Sequence, residues 1–245
     1  MFTEKIRGFM KKIGLVITTV LILIIGCNNK KHANINTVEV LDNENKEVKV
    51  DTTLLEIADL PVYIDSTEYL IHPIGFVNKS RKGIGYIYKS SRGKNDGFHL
   101  SNNYRDEITG NMNNLKFQKK NSNELKLLTK NHIKVKSVRF LRDIFNNLKK
   151  KMLLYEIVDT DSNKDGKITL EDIEGLYLSK VNGDDFIKIT KPNHKVLMSK
   201  IVKELNRLYF KTLIKKSEKA KVDIHYFYID FNDKEIKVTE YFPLN

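Results

Sequence analysis

A repeated strand–turn–strand pattern limits the folds open to this chain more than any other feature of its sequence. Residues 114–129 align with residues 175–190 at an offset of 61, so that apolar residues recur at matching positions and Asn121 falls on Asn182. In each copy, two apolar stretches flank a polar turn, Asn-Ser in the first and Asn-Gly in the second, which is typical of a β-hairpin. A looser third copy covers residues 226–236, with its turn at Asn232 and Asp233. The sequence therefore predicts a mainly β fold made of hairpin repeats.

The order Leu-Tyr-Leu-Ser, then Asn-Gly, then Phe and Ile-Thr resembles a blade of the TolB-like or WD40-like β-propellers. The resemblance covers roughly residues 112–241 and rests on turn and strand-end positions. It implies that each hairpin joins the outer strands of one blade to the inner strand of the next. The chain departs from the family because it contains no Trp, which the usual turn of these blades carries. Its length fits about four such units, so an incomplete propeller or a small sandwich stays open.

Residues 133–158, between the first two copies, allow two interpretations. An Asn-Asn pair at 146–147 interrupts the segment, and Tyr155, Ile157 and Val158 favour a strand, so we expect strand–turn–strand. Apolar residues in the same segment also recur at helical spacing, which keeps an α+β fold as the alternative. The residues at that spacing are Val138, Leu141, Phe145, Leu148 and Met152.

Residues 161–172 have the spacing of an EF-hand-like calcium loop. Calcium takes roughly six to eight oxygen ligands, and this spacing turns alternate side chains towards one point. Gly166 occupies the sixth position, where the backbone turns sharply and a residue without Cβ is favoured. The predicted ligands are the side chains of Asp161, Asn163, Asp165, Thr169 and Asp172 and the carbonyl of Lys167.

The twelfth position of the loop departs from the usual pattern, because Asp172 replaces a bidentate Glu. The shorter side chain predicts a weak site, with a dissociation constant of roughly 0.1–1 mM. We expect residues 152–158 to form a strand before the loop, and Asp159 is a candidate for contacting a calcium ligand. Calcium would relieve repulsion among the loop carboxylates and stiffen the connection. The alternative is a solvated Asn/Asp/Gly turn that binds no metal.

Residues 1–26 have the features of an export signal. Four basic residues precede an apolar stretch at 13–25 that is too short to span a bilayer. The Ile-Ile-Gly-Cys sequence ending at Cys27 resembles the lipobox of bacterial lipoproteins. This implies acylation of Cys27, a tether over 27–37 and attachment to a membrane of the cell envelope. We expect the protein to face the periplasm, because the four residues directly after the cysteine, Asn-Asn-Lys-Lys, include no acidic residue. An uncleaved N-terminal anchor is the alternative. Cys27 is the only cysteine, which excludes a disulfide framework.

The chain is basic, with a formal net charge of +12. Removing residues 1–26, which hold four Lys or Arg and one Glu, leaves +9. A basic surface attracts polyanions, and for an exported protein we expect an anionic glycan, an envelope protein or a lipid surface rather than nucleic acid. The lysines cluster at 119–120, 149–151 and 211–221 without the interleaved aromatic residues of a stacking platform. We therefore interpret them as solvated turn residues, with polyanion binding as the alternative.

The sequence carries none of the common catalytic motifs, such as Gly-x-Ser-x-Gly, a Walker loop or His-Glu-x-x-His. Its six histidines are scattered singly. We expect a β-rich region over 38–110, with a hairpin near 83–100, and the repeats with the calcium loop over 111–245. The predicted function is that of a lipid-anchored, calcium-binding interaction scaffold. The alternative is a calcium-dependent hydrolase or lyase of the propeller type, with an open metal position beside a base such as His132 or His194.

Overall fold

Antiparallel strands make up most of the described chain. The structure is a computed structural model and describes residues 38–39, 50–51, 54–78, 100–104, 106–214 and 223–244. The predictions for the export signal, for Cys27, for most of the hairpin near 83–100 and for the lysines at 215–221 lie outside these residues.

The described residues contain seventeen strands and one helix, α1 (Arg142–Leu148). In chain order the strands are β1 (Val38–Glu39), β2 (Val50–Asp51), β3 (Leu54–Ala58), β4 (Val62–Tyr63), β5 (Tyr69–Asn78), β6 (Leu100–Tyr104), β7 (Glu107–Met112), β8 (Asn114–Lys119), β9 (Leu125–Leu127), β10 (Lys134–Phe140), β11 (Met152–Val158), β12 (Glu174–Lys180), β13 (Ile187–Lys188), β14 (Lys195–Val202), β15 (Arg207–Ile214), β16 (Asp223–Asp230) and β17 (Val238–Tyr241).

These strands form three larger sheets and a small ribbon of β1 and β2. The N-terminal sheet has the order β3-β5-β8-β9, with β4 also paired to β5. The central sheet has the order β13-β12-β11-β10-β7-β6, and the C-terminal sheet is the meander β14-β15-β16-β17. Every pairing in these sheets is antiparallel.

The central sheet is covered on both faces, and its strands explain how. Tyr155 of β11 and Tyr177 of β12 lie in a core shared with the N-terminal sheet. Their neighbours Leu154, Leu176 and Leu178 point the other way, into a second core shared with the C-terminal sheet. Because successive residues of a strand face opposite sides, a strand buried on both faces must be apolar throughout. The three sheets therefore stack face to face, as the blades of a propeller do.

The hairpins predicted from the repeat are present. β8 pairs with β9 and β12 pairs with β13. Each hairpin is closed by an equivalent backbone hydrogen bond, from the N of Leu128 to the O of Leu115 and from the N of Ile189 to the O of Leu176, both 2.9 Å. The third copy, residues 226–236, covers most of β16 and the turn after it, and β16 pairs with β17 beyond that turn. The prediction of a mainly β fold with propeller-like hairpin repeats is confirmed.

The turn predicted at 146–147 is wrong, because α1 (Arg142–Leu148) occupies this position. The helix buries Ile144, and Leu141 before it, in the core shared with the C-terminal sheet. It ends at Lys149, whose φ of 58° places it in the left-handed region. The flanking strands β10 and β11 still pair, so strand–helix–strand replaces strand–turn–strand without changing the fold class. In the described part of the chain, no helix has the length and apolar character needed to cross a membrane.

Candidate metal centre

The candidate metal loop is the connection between β11 and β12, two adjacent inner strands of the central sheet. β11 and β12 pair along their whole length, from Met152 with Lys180 to Val158 with Glu174. Residues 159–173 therefore leave and re-enter the sheet at adjacent points. The strand predicted over 152–158 is confirmed. A loop held at both ends by a paired hairpin has little freedom in its end positions, which suits a metal site.

The side chains in the first half of the loop turn inward onto its own backbone. The N of Asp165 donates to Oδ1 of Asp161 at 3.2 Å and to Oδ1 of Asn163 at 2.9 Å. The N of Gly166 donates to Oδ2 of Asp161 at 2.8 Å, and the N of Lys167 donates to Oδ1 of Asp165 at 2.9 Å. The oxygens of Asp161 and Asn163 thus lie within hydrogen-bonding distance of one amide. Three of the predicted ligands are brought together.

The backbone of the loop makes the sharp turn expected at its sixth position. Gly166 has a φ of +83°, and Lys164 two residues earlier has a φ of +61°. Residues other than glycine rarely adopt this left-handed backbone conformation, so glycine is favoured here. A Cβ added to Gly166 would meet no heavy atom within 4 Å, so the conformation, and not crowding, requires glycine here.

Asp172 closes the loop from the inside. It is 6% exposed, and its Oδ1 accepts hydrogen bonds from the N of Ser162 (2.8 Å), the hydroxyl of Ser162 (3.0 Å) and the N of Asn163 (3.1 Å). Its Oδ2 accepts from the N of Thr169 at 2.9 Å. Burial by itself would raise the pKa of Asp172, but these donors outweigh it and hold the pKa below its usual value. Asp172 is therefore an anionic clasp between the two ends of the loop.

The remaining predicted ligands, Thr169 and Lys167, differ in their surroundings. Thr169 is buried, and its hydroxyl accepts a hydrogen bond from the N of Glu171 at 3.2 Å. Lys167 is exposed, as is Glu171. The predicted ligands therefore divide into an outer group, Asp161, Asn163 and Asp165, and an inner group, Thr169 and Asp172.

The residue types of the loop meet the requirements of calcium. Ca²⁺ prefers oxygen ligands, and the outer group supplies carboxylate and amide oxygens in a solvent-accessible position. No group of three or more His, Cys, Asp or Glu side chains among the described residues is arranged to hold a metal ion. The residue types fit calcium. In this structure the side-chain oxygens of the outer group accept hydrogen bonds from loop amides, and they would have to release these bonds to bind the ion.

Asp159, expected beside the loop ligands, instead ties the loop entrance to the sheet. Both of its oxygens accept hydrogen bonds from Nζ of Lys188, at 2.7 and 2.8 Å, and one also accepts from the hydroxyl of Tyr177. Burial tends to raise the pKa of Asp159, but the bonds from Lys188 and Tyr177 lower it below its usual value. A cleft of ≈ 470 Å³ at this point is lined by His132, Asp159, Tyr177 and Phe186 among others.

Ser162 is a functional residue of the loop that the calcium pattern does not indicate, because the second loop position has no ligand role. Its hydroxyl donates to Asp172 and accepts from the N of Ile173 at 2.8 Å, so that it links the start and the end of the loop. The signal available in the sequence was a hydroxyl residue at the second loop position, ten residues before a carboxylate.

Comparison with known proteins gives no family for this chain. No protein family model matches it, and no curated protein matches it. Three solved chains match. One of them is a TolB candidate from Agrobacterium tumefaciens, 9% identical over 76% of this chain and 82% of that chain, with a TM-score of 0.20. The fold assignment therefore rests on the chain's own sheets.

Proposed function

We propose that this chain is a lipid-anchored interaction scaffold of the bacterial cell envelope, and that its loop over 161–172 binds one Ca²⁺. The observation that supports the calcium site is the inward turn of Asp161, Asn163 and Asp165 around the amides that follow them. Calcium would replace some of those amide donors. The hydrogen bonds of the loop carboxylates within the described residues all come from the loop itself, which favours a structural ion over a catalytic one.

The proposed coordination uses the outer group, the carbonyl of Lys167, Thr169 and one oxygen of Asp172. Oδ2 of Asp172 has one described donor whereas Oδ1 has three, so Oδ2 has more capacity left for a cation. An ion held by a single oxygen at the twelfth position would bind weakly, at roughly 0.1–1 mM. The ion would neutralise the loop carboxylates and stiffen the connection between β11 and β12.

The anchor in this proposal is the acylated Cys27 that the lipobox resemblance implies. Several acyl chains hold a protein on a membrane far more firmly than one. Mass spectrometry of the intact protein tests the proposal directly, since acylation and cleavage would leave Cys27 as a modified first residue. Substitution of Cys27 by Ser should abolish the modification and release the protein from the membrane fraction. An unmodified chain that starts at Met1 would contradict the anchor.

Calcium binding is tested on the full-length protein in detergent micelles by calorimetry and thermal melting. We expect the melting temperature to rise as calcium is added and to level off at millimolar concentrations, while magnesium has a smaller effect. The Asp161→Asn variant should lose this rise. If calcium produces neither heat nor a change in melting temperature in the unmodified sequence, the loop is a solvated turn.

A further inference from the structure

Along β15 of the C-terminal sheet, side chains alternate between a buried inner face and an outward face. The outward face carries aromatic and basic side chains. In β15, Leu208 and Phe210 point into the core shared with the central sheet. Arg207, Tyr209 and Lys211 point to the opposite side and are half-buried. From the sequence, we interpreted the lysines at 211–221 as solvated turn residues without interleaved aromatic residues. That interpretation is wrong for Lys211, which alternates with Tyr209 within a strand.

Four tyrosines from three strands meet on this face, and we call them the tyrosine face: Tyr209, Tyr226, Tyr228 and Tyr241. The ring centroid of Tyr241 lies 5.7 Å from that of Tyr209 and 6.0 Å from those of Tyr226 and Tyr228. Tyr209 and Tyr228 are 5.7 Å apart. Each ring is half-buried by its neighbours, so the rings form a continuous surface and do not protrude singly.

The charged side chains around the tyrosine face are mainly cationic. Arg207 lies over the ring of Tyr228, with its Cζ 4.8 Å from the centroid, and its Nε donates to Asp230 at 2.7 Å. Asp230, the one carboxylate at the outward positions of these four strands, is thereby neutralised. Lys200 lies opposite Tyr209 and Lys211 lies opposite Tyr226 in the strand register. Neither lysine has an ion pair with another described residue.

We infer that the tyrosine face, with Lys200 and Lys211, binds an acidic polysaccharide. Aromatic rings offer flat apolar surfaces on which sugar rings can stack, and tyrosine hydroxyls add hydrogen bonds. The two lysines supply charges that complement carboxylates along the polymer. This inference gives the proposed scaffold a binding face, and so rests on that proposal, but it does not depend on the calcium loop.

Charge and packing favour a glycan over other occupants. A second copy placed on this face by a two-fold axis would bring together two surfaces that both carry Lys200 and Lys211, and like charges repel. Insertion into a membrane needs aromatic side chains that project, whereas these four rings pack against one another in tilted and T-shaped pairs and are half-buried. An extended acidic polymer can lie across the strands without either difficulty.

The test measures binding of polygalacturonate, in which every sugar carries a carboxylate, to the full-length protein in micelles. Neutral dextran, single-stranded DNA and phosphatidylglycerol vesicles serve as comparison probes. We expect polygalacturonate to bind, dextran to bind poorly, and the affinity to fall as salt is raised, because the lysine contacts are screened. Binding should persist in EDTA, so a failure of the calcium proposal and a failure of this inference remain distinguishable.

Variants of the face separate stacking from charge. Tyr228→Ala with Tyr241→Ala should weaken binding by about tenfold or more, whereas Phe at both positions should retain most of it. Lys200→Glu with Lys211→Glu should weaken it to a similar extent. The matched control is charge reversal at Lys116 and Lys130, outside this sheet, which should leave most of the affinity intact. Melting temperatures establish that each variant is folded.

Three results would overturn the inference. The first is the absence of polygalacturonate binding by the unmodified protein. The second is equal loss of binding in the control lysine pair and in the face variants, which would indicate attraction by net charge alone. The third is binding only to DNA or to vesicles, lost in the face variants, which would assign the face to a different partner.

Discussion

Oδ1 of Asp172 accepts hydrogen bonds from both the backbone N and the hydroxyl of Ser162, at 2.8 and 3.0 Å, across ten positions of the chain. Asp172, a predicted calcium ligand, therefore also links the start of the loop to its end. The side chains of Asp161, Asn163 and Asp165 have no such role, since their hydrogen bonds stay within residues 161–167. The loop thus has a clasp and a ligand group that substitutions can separate.

Replacing Asp172 with Asn should destabilise the fold even without calcium. The amide group would place an N–H₂ against backbone donors that now meet a carboxylate oxygen, leaving buried groups unsatisfied. A loss of about 1–3 kcal/mol in the free energy of unfolding is expected. Urea unfolding in EDTA measures it. Asp161→Asn, which retains one acceptor oxygen in a more exposed place, is the control and should lose less. Equal losses in the two variants would show that Asp172 is not a clasp.

Calcium should stabilise the unmodified chain but not Asp161→Asn. At a calcium concentration ten times the dissociation constant, binding adds about 1.4 kcal/mol to the free energy of unfolding. Removing a negative ligand weakens the site, so the variant should gain little at the same concentration. The comparison is made by urea unfolding with and without calcium. A gain of the same size in both chains would place the ion elsewhere.

The hairpins and the end of β11 at Val158 were predictable because both depend on local patterns. Alternation with a period of two, and polar residues at turns, are visible within ten residues. The hydrogen bonds by which Asp172 links the ends of the loop were not predictable, since they depend on which backbone amides point towards its carboxylate in the folded loop. The tyrosine face was missed for a similar reason. Tyr209, Tyr228 and Tyr241 belong to three strands, and only the strand register brings their rings together.

A buried histidine, His194, lies beside a half-buried one, His225, at the C-terminal sheet, and this has consequences for pH dependence. His194 is 5% exposed and its Nδ1 lies 2.7 Å from the hydroxyl of Thr212, which is fully buried. The ring of His225 lies 5.0 Å away, between centroids, and its Nδ1 is 2.6 Å from a carboxylate oxygen of Glu240. Burial lowers the pKa of His194, and the positive charges of His225 and Lys191 lower it further. The carboxylates of Glu240 and Asp223 act in the opposite direction.

The stability of the protein should fall as pH is lowered from about 7 to about 5. An unfolded histidine has a pKa of about 6.5, and His194 in the fold has a lower one, so the unfolded chain takes up the proton first. The stabilisation is complete above about pH 6.5 and is lost as pH falls towards the folded pKa. Melting temperatures measured across this range should change less in His194→Gln. His132→Gln, at an exposed histidine, is the control and should follow the unmodified chain. An unchanged slope in His194→Gln would contradict the prediction.

The turn of the second hairpin packs directly onto the first, and this contact can be tested with two glycines. Gly183 has a φ of +78°, and a Cβ added there would lie 2.6 Å from Cε2 of Phe117. Gly166 has a similar φ of +83° but nothing within 4 Å of such a Cβ. Both substitutions by Ala therefore carry the same conformational penalty, about 1–2 kcal/mol. Only Gly183→Ala adds overpacking, which costs about 1–3 kcal/mol more.

Urea unfolding in EDTA should therefore show a larger loss of stability for Gly183→Ala than for Gly166→Ala. The Phe117→Leu substitution provides a double-mutant cycle, because a smaller side chain leaves room for the added methyl group. It should destabilise the unmodified chain more than it destabilises Gly183→Ala, and it should act independently of Gly166→Ala. If the two alanine variants were equally stable, or if Phe117→Leu were additive with both, the hairpins would not be coupled through this contact.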